Sequence, residues 1–528
     1  MEQLFGTALS RTRAAINRQR SLIHRLPVEL VVMISRYAID IPLFHIYDCG
    51  SAAVRRLQDC GAPFFQISRT LIPLSHVCQF WRNALLDNPA FWSVIYDYNV
   101  DAAYTFLQRS QQVPLIIQFV RKASVTADPL LGVPPYARFF TDHDLQARLR
   151  EIRWISLPSA IHKVDYLLFP APRLELLELI YDVRDRDQLY CATPPILFAG
   201  QAPQLRHVLL ARMGWLPGNR FDSLTCLVLS RMYDIDFFEY TRLLLNCPII
   251  EELVFKEIDA TAPVVEHPPI PGLANGQELL PRLRSLTFHI MSMRSHQKTF
   301  EDTPPLALSA VAPRATQALT AVRFSYSSTS TRATILATGQ GVTIRHISPP
   351  TLRTDLRHAL LLFAWLAHQL SVFPLDRLRT VRLEVPTVET PRTNTSPVPR
   401  TVTPVTVPSL RTRIAQMTGL EEIELVTDNM PEVLLRLASR QSSSSLIPRQ
   451  DEAPEWRLPL LRITYIRPLH YSAARRPDLT DLFDAVDVLA FDIGPDHPPE
   501  AQQATVASLN PLIEVWNERV VITIGSRA

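Results

Sequence analysis

The chain has 528 residues, beyond the ~250 to 300 at which a single compact core stops growing, so two domains or an elongated repeat array are expected. Its 54 basic and 51 acidic residues nearly balance, and no Lys/Arg block marks the footprint of a nucleic-acid binder. The six cysteines (Cys49, Cys60, Cys78, Cys191, Cys226, Cys247) are scattered with no Cys-x-x-Cys pair, which reads as small buried thiols in a reducing compartment, cytoplasmic and/or nuclear.

The first twenty residues, MEQLFGTALSRTRAAINRQR, lack the apolar core and cleavage site of a secretory signal, and LFGTALSRTRAAINRQRSLI predicts a helix packed on the helical module after it. IHRLPVELVVMISRYAI (23 to 39) predicts a helix with Pro27 in its first turn and Glu29 at the positive end of its dipole. Residues 40 to 72 form an intervening segment in which AAVRRLQDC suggests one short extra helix. PLSHVCQFWRNALLDNPAFW (73 to 92) places Leu74, Val77, Trp81 and Leu85 on one helical face, with Asp87-Asn88-Pro89 as the stop. Both helices carry more apolar surface than one buried stripe needs. A strand at FWSVIYDY and the link YTFLQRSQQVPLIIQFV (104 to 120) come next.

From there one pattern recurs: apolar, two of any kind, apolar, one of any kind, apolar. It appears at Leu174/Leu177/Leu179, Leu205/Val208/Leu210, Leu224/Leu227/Leu229, Ile250/Leu253/Phe255, Leu283/Leu286/Phe288, Leu319/Val322/Phe324, Leu378/Val381/Leu383 and Leu420/Ile423/Leu425. Weaker copies stand at Leu149/Ile152/Trp154 and Phe483/Val486/Val488, and WRLPLLRITYI (456 to 466) fits loosely. The last two apolar positions are two apart, as a strand with one buried face requires. Return helices such as IDFFEYTRLLLNC (235 to 247) fit between copies, which makes the whole a leucine-rich-repeat pattern with inserted loops. Polar tracts near 325–334, 386–408 and 440–455 read as disordered loops. HALLLFAWLAHQL (358 to 370) is too short to span ~30 Å of hydrocarbon.

Leu26-Pro27-x-Glu29-Leu30…Ile34, Leu74-Ser75-x-Val77-Cys78-x-x-Trp81-Arg82 and Pro89-x-Phe91-Trp92 together resemble the F-box, and the region to 120 is similar to the large F-box/leucine-rich-repeat family of mushroom-forming fungi. The resemblance implies a small N-terminal helical module and an irregular solenoid of parallel strands with return helices. The divisions would be 1–21 for the first helix, 22–97 for the F-box-like module with its 40–72 insertion, and 98–528 for the solenoid. It further implies docking on the adaptor Skp1, and through it a cullin, by Leu26, Pro27, Leu30, Ile34, Val77, Cys78 and Trp81. The repeats would hold an unidentified protein target for ubiquitin transfer. The alternative from the residues alone is a repeat scaffold whose first two helices only cap the solenoid.

No nucleophile elbow, Walker loop or His-Glu-x-x-His motif appears, and Gly339-Gln340-Gly341 lacks the third glycine of a dinucleotide fingerprint. The expectation is a protein without catalytic residues, metal or cofactor, and without nucleic-acid or membrane contacts. If the last two template residues point inward, those beside them line the opposite, concave face. That nominates His207, Glu252, Lys256, His289, Arg323, Arg382, Glu384, Glu422 and Glu424 for the target. Mixed charge of this kind suits a protein partner better than a polyanion.

Overall fold

Six of the eight copies of the apolar triplet open with a tight turn that delivers their first apolar residue into the core. The amide of that residue bonds the carbonyl three residues back: Leu174 to Ala171, Leu205 to Ala202, Leu224 to Phe221, Ile250 to Cys247, Leu283 to Leu280 and Leu420 to Met417. The first residue of each of these copies is buried, and the next apolar residue lies inward on a strand whose side chains alternate. In this computed structural model, residues 2–20, 26–39, 65–96, 100–119, 142–157, 167–181, 193–232, 235, 237–258, 280–290, 317–327, 332–339, 342–347, 375–385, 417–427, 458–465, 486–493, 500, 502–503 and 520–524 are described. The fold is mixed α/β, with few helices and mostly parallel strands. The chain divides into two units, Met1–Val208 and Leu209–Ala528.

In the first unit, α1 (Glu2–Arg20), α2 (Val28–Ile39), α3 (Phe65–Ser75) and α4 (Gln79–Leu86) precede a 3-10 turn at Pro89–Trp92 and β1 (Val94–Tyr96). Then come α5 (Val100–Arg109), β2 (Leu115–Phe119), α6 (His143–Arg148), β3 (Leu149–Leu157) and β4 (Leu176–Tyr181). Strands β1 to β4 pair in sequence order, all parallel. Ile117, Ile152, Trp154, Leu177 and Leu179 form the inner face, with the Phe119 and Trp154 rings 4.9 Å apart. Two polar ties fasten the helices beside this sheet. The Trp92 indole N–H donates to Leu85 O at 2.9 Å while its ring meets Phe106 edge-on, and buried Arg148 donates to Ser110 Oγ at 2.7 Å and to Val113 O.

In the second unit, β6 (Cys226–Ser230), β7 (Glu252–Ile258) and β8 (Ser285–Ile290) are parallel, with α7 (Phe237–Leu245) as the expected return helix between the first two. Strand β5 (His207–Ala211) contains the division between the units. Strand β8 does not pair with β9 (Leu319–Ser327), the next copy of the triplet. An antiparallel meander intervenes: β9 pairs β10 (Arg332–Gly339), β10 pairs β11 (Val342–Ile347), and β11 lies parallel on β8. Parallel order resumes from β9 through β12 (Thr380–Val385), β13 (Glu422–Thr427), β14 (Leu458–Tyr465), β15 (Val486–Ile493) and β16 (Val520–Ile524).

Several expectations are corrected. The stretch from Leu74 to Leu85 is not one helical face: α3 ends at Ser75, Cys78 is extended (φ −162°, ψ 171°), and α4 runs from Gln79 to Leu86, ending at the expected stop. Pro73 lies inside α3, and the Arg82 side chain fastens the corner by donating from Nε to Ser75 O at 3.0 Å. Helix α1 forms, but its apolar residues Leu4, Phe5, Leu9 and Ile16 are exposed rather than packed on the module after it. The 325–334 tract is partly strand, its ends belonging to β9 and β10, whose β-branched threonines and isoleucine suit a ladder. Gly339 ends β10 where a Cβ would strike the Ala318 carbonyl, so that glycine serves a close backbone approach. Strand β15 takes Val486/Leu489/Phe491 as its triplet, because Leu461 and Ile463 stand opposite Leu489 and Phe491; the copy at Phe483/Val486/Val488 is displaced by three residues. The expected helix at AAVRRLQDC, the apolar run 358–370, and the tracts 386–408 and 440–455 lie outside the described residues.

Candidate docking surfaces

Helix α2 has two faces with different fates. Val31 and Ser35 are buried, and Val31 packs with Trp81 and Ala84 of α4, with Leu26, Leu74, Cys78 and Phe80 around them. Ser35 closes its hydroxyl onto Val31 O at 2.8 Å. On the other side Leu30, Met33, Ile34 and Tyr37, at i, i+3, i+4 and i+7, all face solvent, Tyr37 at 81%. Pro27 is exposed at the head of the helix, its carbonyl accepting from the Leu30 and Val31 amides. Val77, in the corner between α3 and α4, is 62% exposed.

Of the residues expected to meet an adaptor, Pro27, Leu30, Ile34 and Val77 are therefore presented to solvent, and Leu26 and Cys78 are half-buried. Trp81 is not presented. It is 6% exposed at the centre of the small core, where its indole N–H is buried without an acceptor. The F-box resemblance implied a surface anchor at Trp81; here it packs with Val31 and Ala84 in the core instead. Met33 and Tyr37 belong to the exposed row although neither was nominated from sequence. They stand one helical turn from Leu30 and Ile34, a signal the i, i+3, i+7 count contained.

On the sheet, the expected outward positions divide by strand. In the second unit Arg323 is exposed, and Arg382, Glu422 and Glu424 are half-buried beside inward Val322, Val381 and Ile423. Arg323, Arg382 and Glu424 share one register row, which continues to Arg462 on β14. Arg382 pairs with Glu424 at 2.9 Å and Arg462 with Glu422 at 2.6 Å, so opposite charges meet across three strands. Arg462 was missed because WRLPLLRITYI matches the template poorly. His289 and Glu384 hold outward register positions on β8 and β12.

Around β7 the sheet is covered on both faces. Lys256 is 7% exposed and Val254 is buried with it, while Glu252 is half-buried, so Lys256 is not a surface cation. Parallel strands buried on both sides tolerate apolar residues at every position, and Leu253-Val254-Phe255 is such a run.

In the first unit the outward row is polar: half-buried Tyr96 and buried Gln118, Arg153 and Glu178 stand side by side on β1 to β4. Arg153 bonds Glu151 at 2.9 Å. Burial pushes the Glu178 carboxyl up, opposed by the Arg153 charge and reinforced by Glu151. His207, half-buried at the start of β5, has its pKa lowered by burial, against the raising effect of its hydrogen bond with the Glu175 backbone. The rule that nominated His207 applies equally to Arg153 and Glu178, the residues between the last two apolar positions of the two preceding copies.

Among the described residues there is no cluster of three or more His, Cys, Asp or Glu fit to hold a metal, and no helix long and apolar enough to cross a membrane. No protein-family model matches the chain, and no curated protein matches it.

Proposed function

We propose that this protein is a non-catalytic substrate receptor of a Skp1-cullin-F-box ubiquitin ligase, with its front helices docking a Skp1-like adaptor and its repeats, an irregular leucine-rich solenoid, holding a target protein. The observation that carries the reading is the solvent-facing apolar row Leu30, Met33, Ile34 and Tyr37 on a helix whose opposite face is satisfied by its own core. Apolar side chains concentrated on one exposed helical face suit a partner's groove. The F-box resemblance names the partner.

Such a receptor works by proximity. Two binding surfaces on one chain raise the concentration of target near the ligase without any reacting group of their own. The mixed, laterally paired charges of β9 to β14 suit recognition of a folded or extended protein surface.

The test is co-purification of the full chain with Skp1, wild type beside Leu30→Asp/Ile34→Asp. Both positions are exposed, so the fold is retained. Wild-type binding lost in the double variant supports the receptor; a folded wild type that never binds leaves a repeat scaffold without a ligase.

A further inference from the structure

Helices in proteins owe most of their stability to packing an amphipathic face, and α1 (Glu2–Arg20) keeps such a face in water. Every side chain described on it is exposed, Leu4 at 75% and Phe5 at 77%. At about 100° per residue, Leu4, Phe5, Leu9 and Ile16 share an arc of ~140° with the small residues Ala8 and Ala15, and Gln19 closes it. Thr12 lies within the arc, but its hydroxyl donates to Ala8 O at 2.9 Å, so covering this face strands no hydroxyl donor. Exposed Arg11 and Arg13 bracket the arc, ~20° beyond Leu4 and ~40° beyond Leu9.

The charge of the helix says what covers that face. Its sequence holds four arginines (Arg11, Arg13, Arg18, Arg20) against one acid, Glu2. That excess of three equals the net +3 that 54 basic and 51 acidic residues leave the whole chain, so outside α1 the charges cancel. The complement is therefore apolar in the middle and anionic at both flanks. A lipid surface has that profile: acyl chains take the arc, while arginine stems lie along it and their guanidinium groups reach the headgroups. A protein groove would instead close over the flanks and bury Arg11 and Arg13, each then needing a carboxylate of its own.

We propose that α1 is an interfacial anchor for membranes containing anionic lipid, with Leu4, Phe5, Leu9 and Ile16 at the acyl boundary and Arg11 and Arg13 on the headgroups. It lies on the bilayer and does not cross it, since no helix among the described residues is long and apolar enough to span one. Four large apolar side chains give only reversible attachment, so the anionic charge supplies the rest and the contact weakens with salt. The anchor is separate from adaptor docking, which uses α2, and stands or falls without it.

The experiment is sedimentation of the full chain with sucrose-loaded vesicles of phosphatidylcholine alone or of phosphatidylcholine mixed with phosphatidylserine. Wild type binds the mixed vesicles at least about tenfold more tightly, an arginine near an anionic surface being worth about fivefold. Phe5→Asp/Leu9→Asp abolishes sedimentation with both vesicles, and Arg11→Glu/Arg13→Glu removes the preference for phosphatidylserine. All four positions are exposed, so the melting temperature of each variant stays at the wild-type value. A wild type that remains in the supernatant with the mixed vesicles overturns the anchor and leaves α1 to an acidic protein. Binding that survives Phe5→Asp/Leu9→Asp overturns it as well, because the apolar arc would then take no part in the contact. A preference for phosphatidylserine that survives Arg11→Glu/Arg13→Glu does the same for the charged flanks.

Discussion

Trp81 offers the sharpest test of how the helical front is built, because its bulk and its polar atom pull in opposite directions. It is 6% exposed among Val31, Ala84, Leu26 and Leu74, so Trp81→Ala removes the centre of the small core at a cost of about 3–5 kcal/mol. Trp81→Phe keeps most of that packing. It loses the area of one fused ring, roughly 40 Å² and about 1 kcal/mol at ~25 cal/mol/Å². It also removes a buried indole N–H that has no acceptor, relieving about 1–3 kcal/mol. The two terms nearly cancel, so Trp81→Phe is expected within about 1 kcal/mol of wild type or slightly more stable. Amide hydrogen exchange across Val28–Ile39 and Gln79–Leu86 reads the local opening free energy of this corner directly. A Trp81→Phe variant that exchanges as fast as Trp81→Ala would refute the reasoning and show that the indole N–H is engaged after all.

Packing and charge set three further outcomes. His207 has its pKa lowered in the folded state by burial, so between that value and the ordinary ~6.5 the unfolded chain binds more protons; stability is present above about pH 6.5 and is lost as pH falls below it. Thermal melts from pH 8 to 5 should show a shallower acid loss for His207→Gln than for wild type. A double-mutant cycle on Arg382→Ala and Glu424→Ala should give a coupling of about 0.5–1 kcal/mol that shrinks in high salt, the pair being part-exposed. Cys247 is buried, and burial with the Asp222 charge pushes its thiol up, whereas Cys78 is only half-buried; a thiol reagent on the native chain at pH 8 should modify Cys78 well before Cys247, and mass spectrometry of digests reports the order.

The sheet was legible in the sequence because its signal is geometric. A residue buried at the end of a turn, then two inward residues two apart, is enough to fix strand and facing, and Leu174/Leu177/Leu179 or Leu378/Val381/Leu383 behave as that pattern demands. Repetition also exposes register: Arg150–Glu175, Arg284–Glu251 and Arg379–Glu421 join the residues just after the first apolar position of neighbouring strands. What the pattern could not carry was an insertion with its own strands. Strands β10 and β11 run antiparallel between β8 and β9, and Arg332–Gly339 alternates too weakly to announce itself among serines and threonines.

The functional surfaces were half legible for a related reason. Periodicity tells which residues share a face but not whether the face is covered. It put Arg382 and Glu424 on one face, where they pair, yet it assigned Lys256 to solvent by the same rule, where the sheet is buried on both sides. On the helices, a single break at Cys78 reversed the meaning of Trp81 while leaving Leu30 and Ile34 on the outside.

The most direct measurement of the central claim is hydrogen exchange of the full chain with and without Skp1. The receptor reading predicts slowed exchange across Val28–Ile39 and the Ser75–Gln79 corner, with no change from Leu209 onward. Unchanged exchange across Val28–Ile39 at saturating Skp1, or protection confined to the strands, would contradict it.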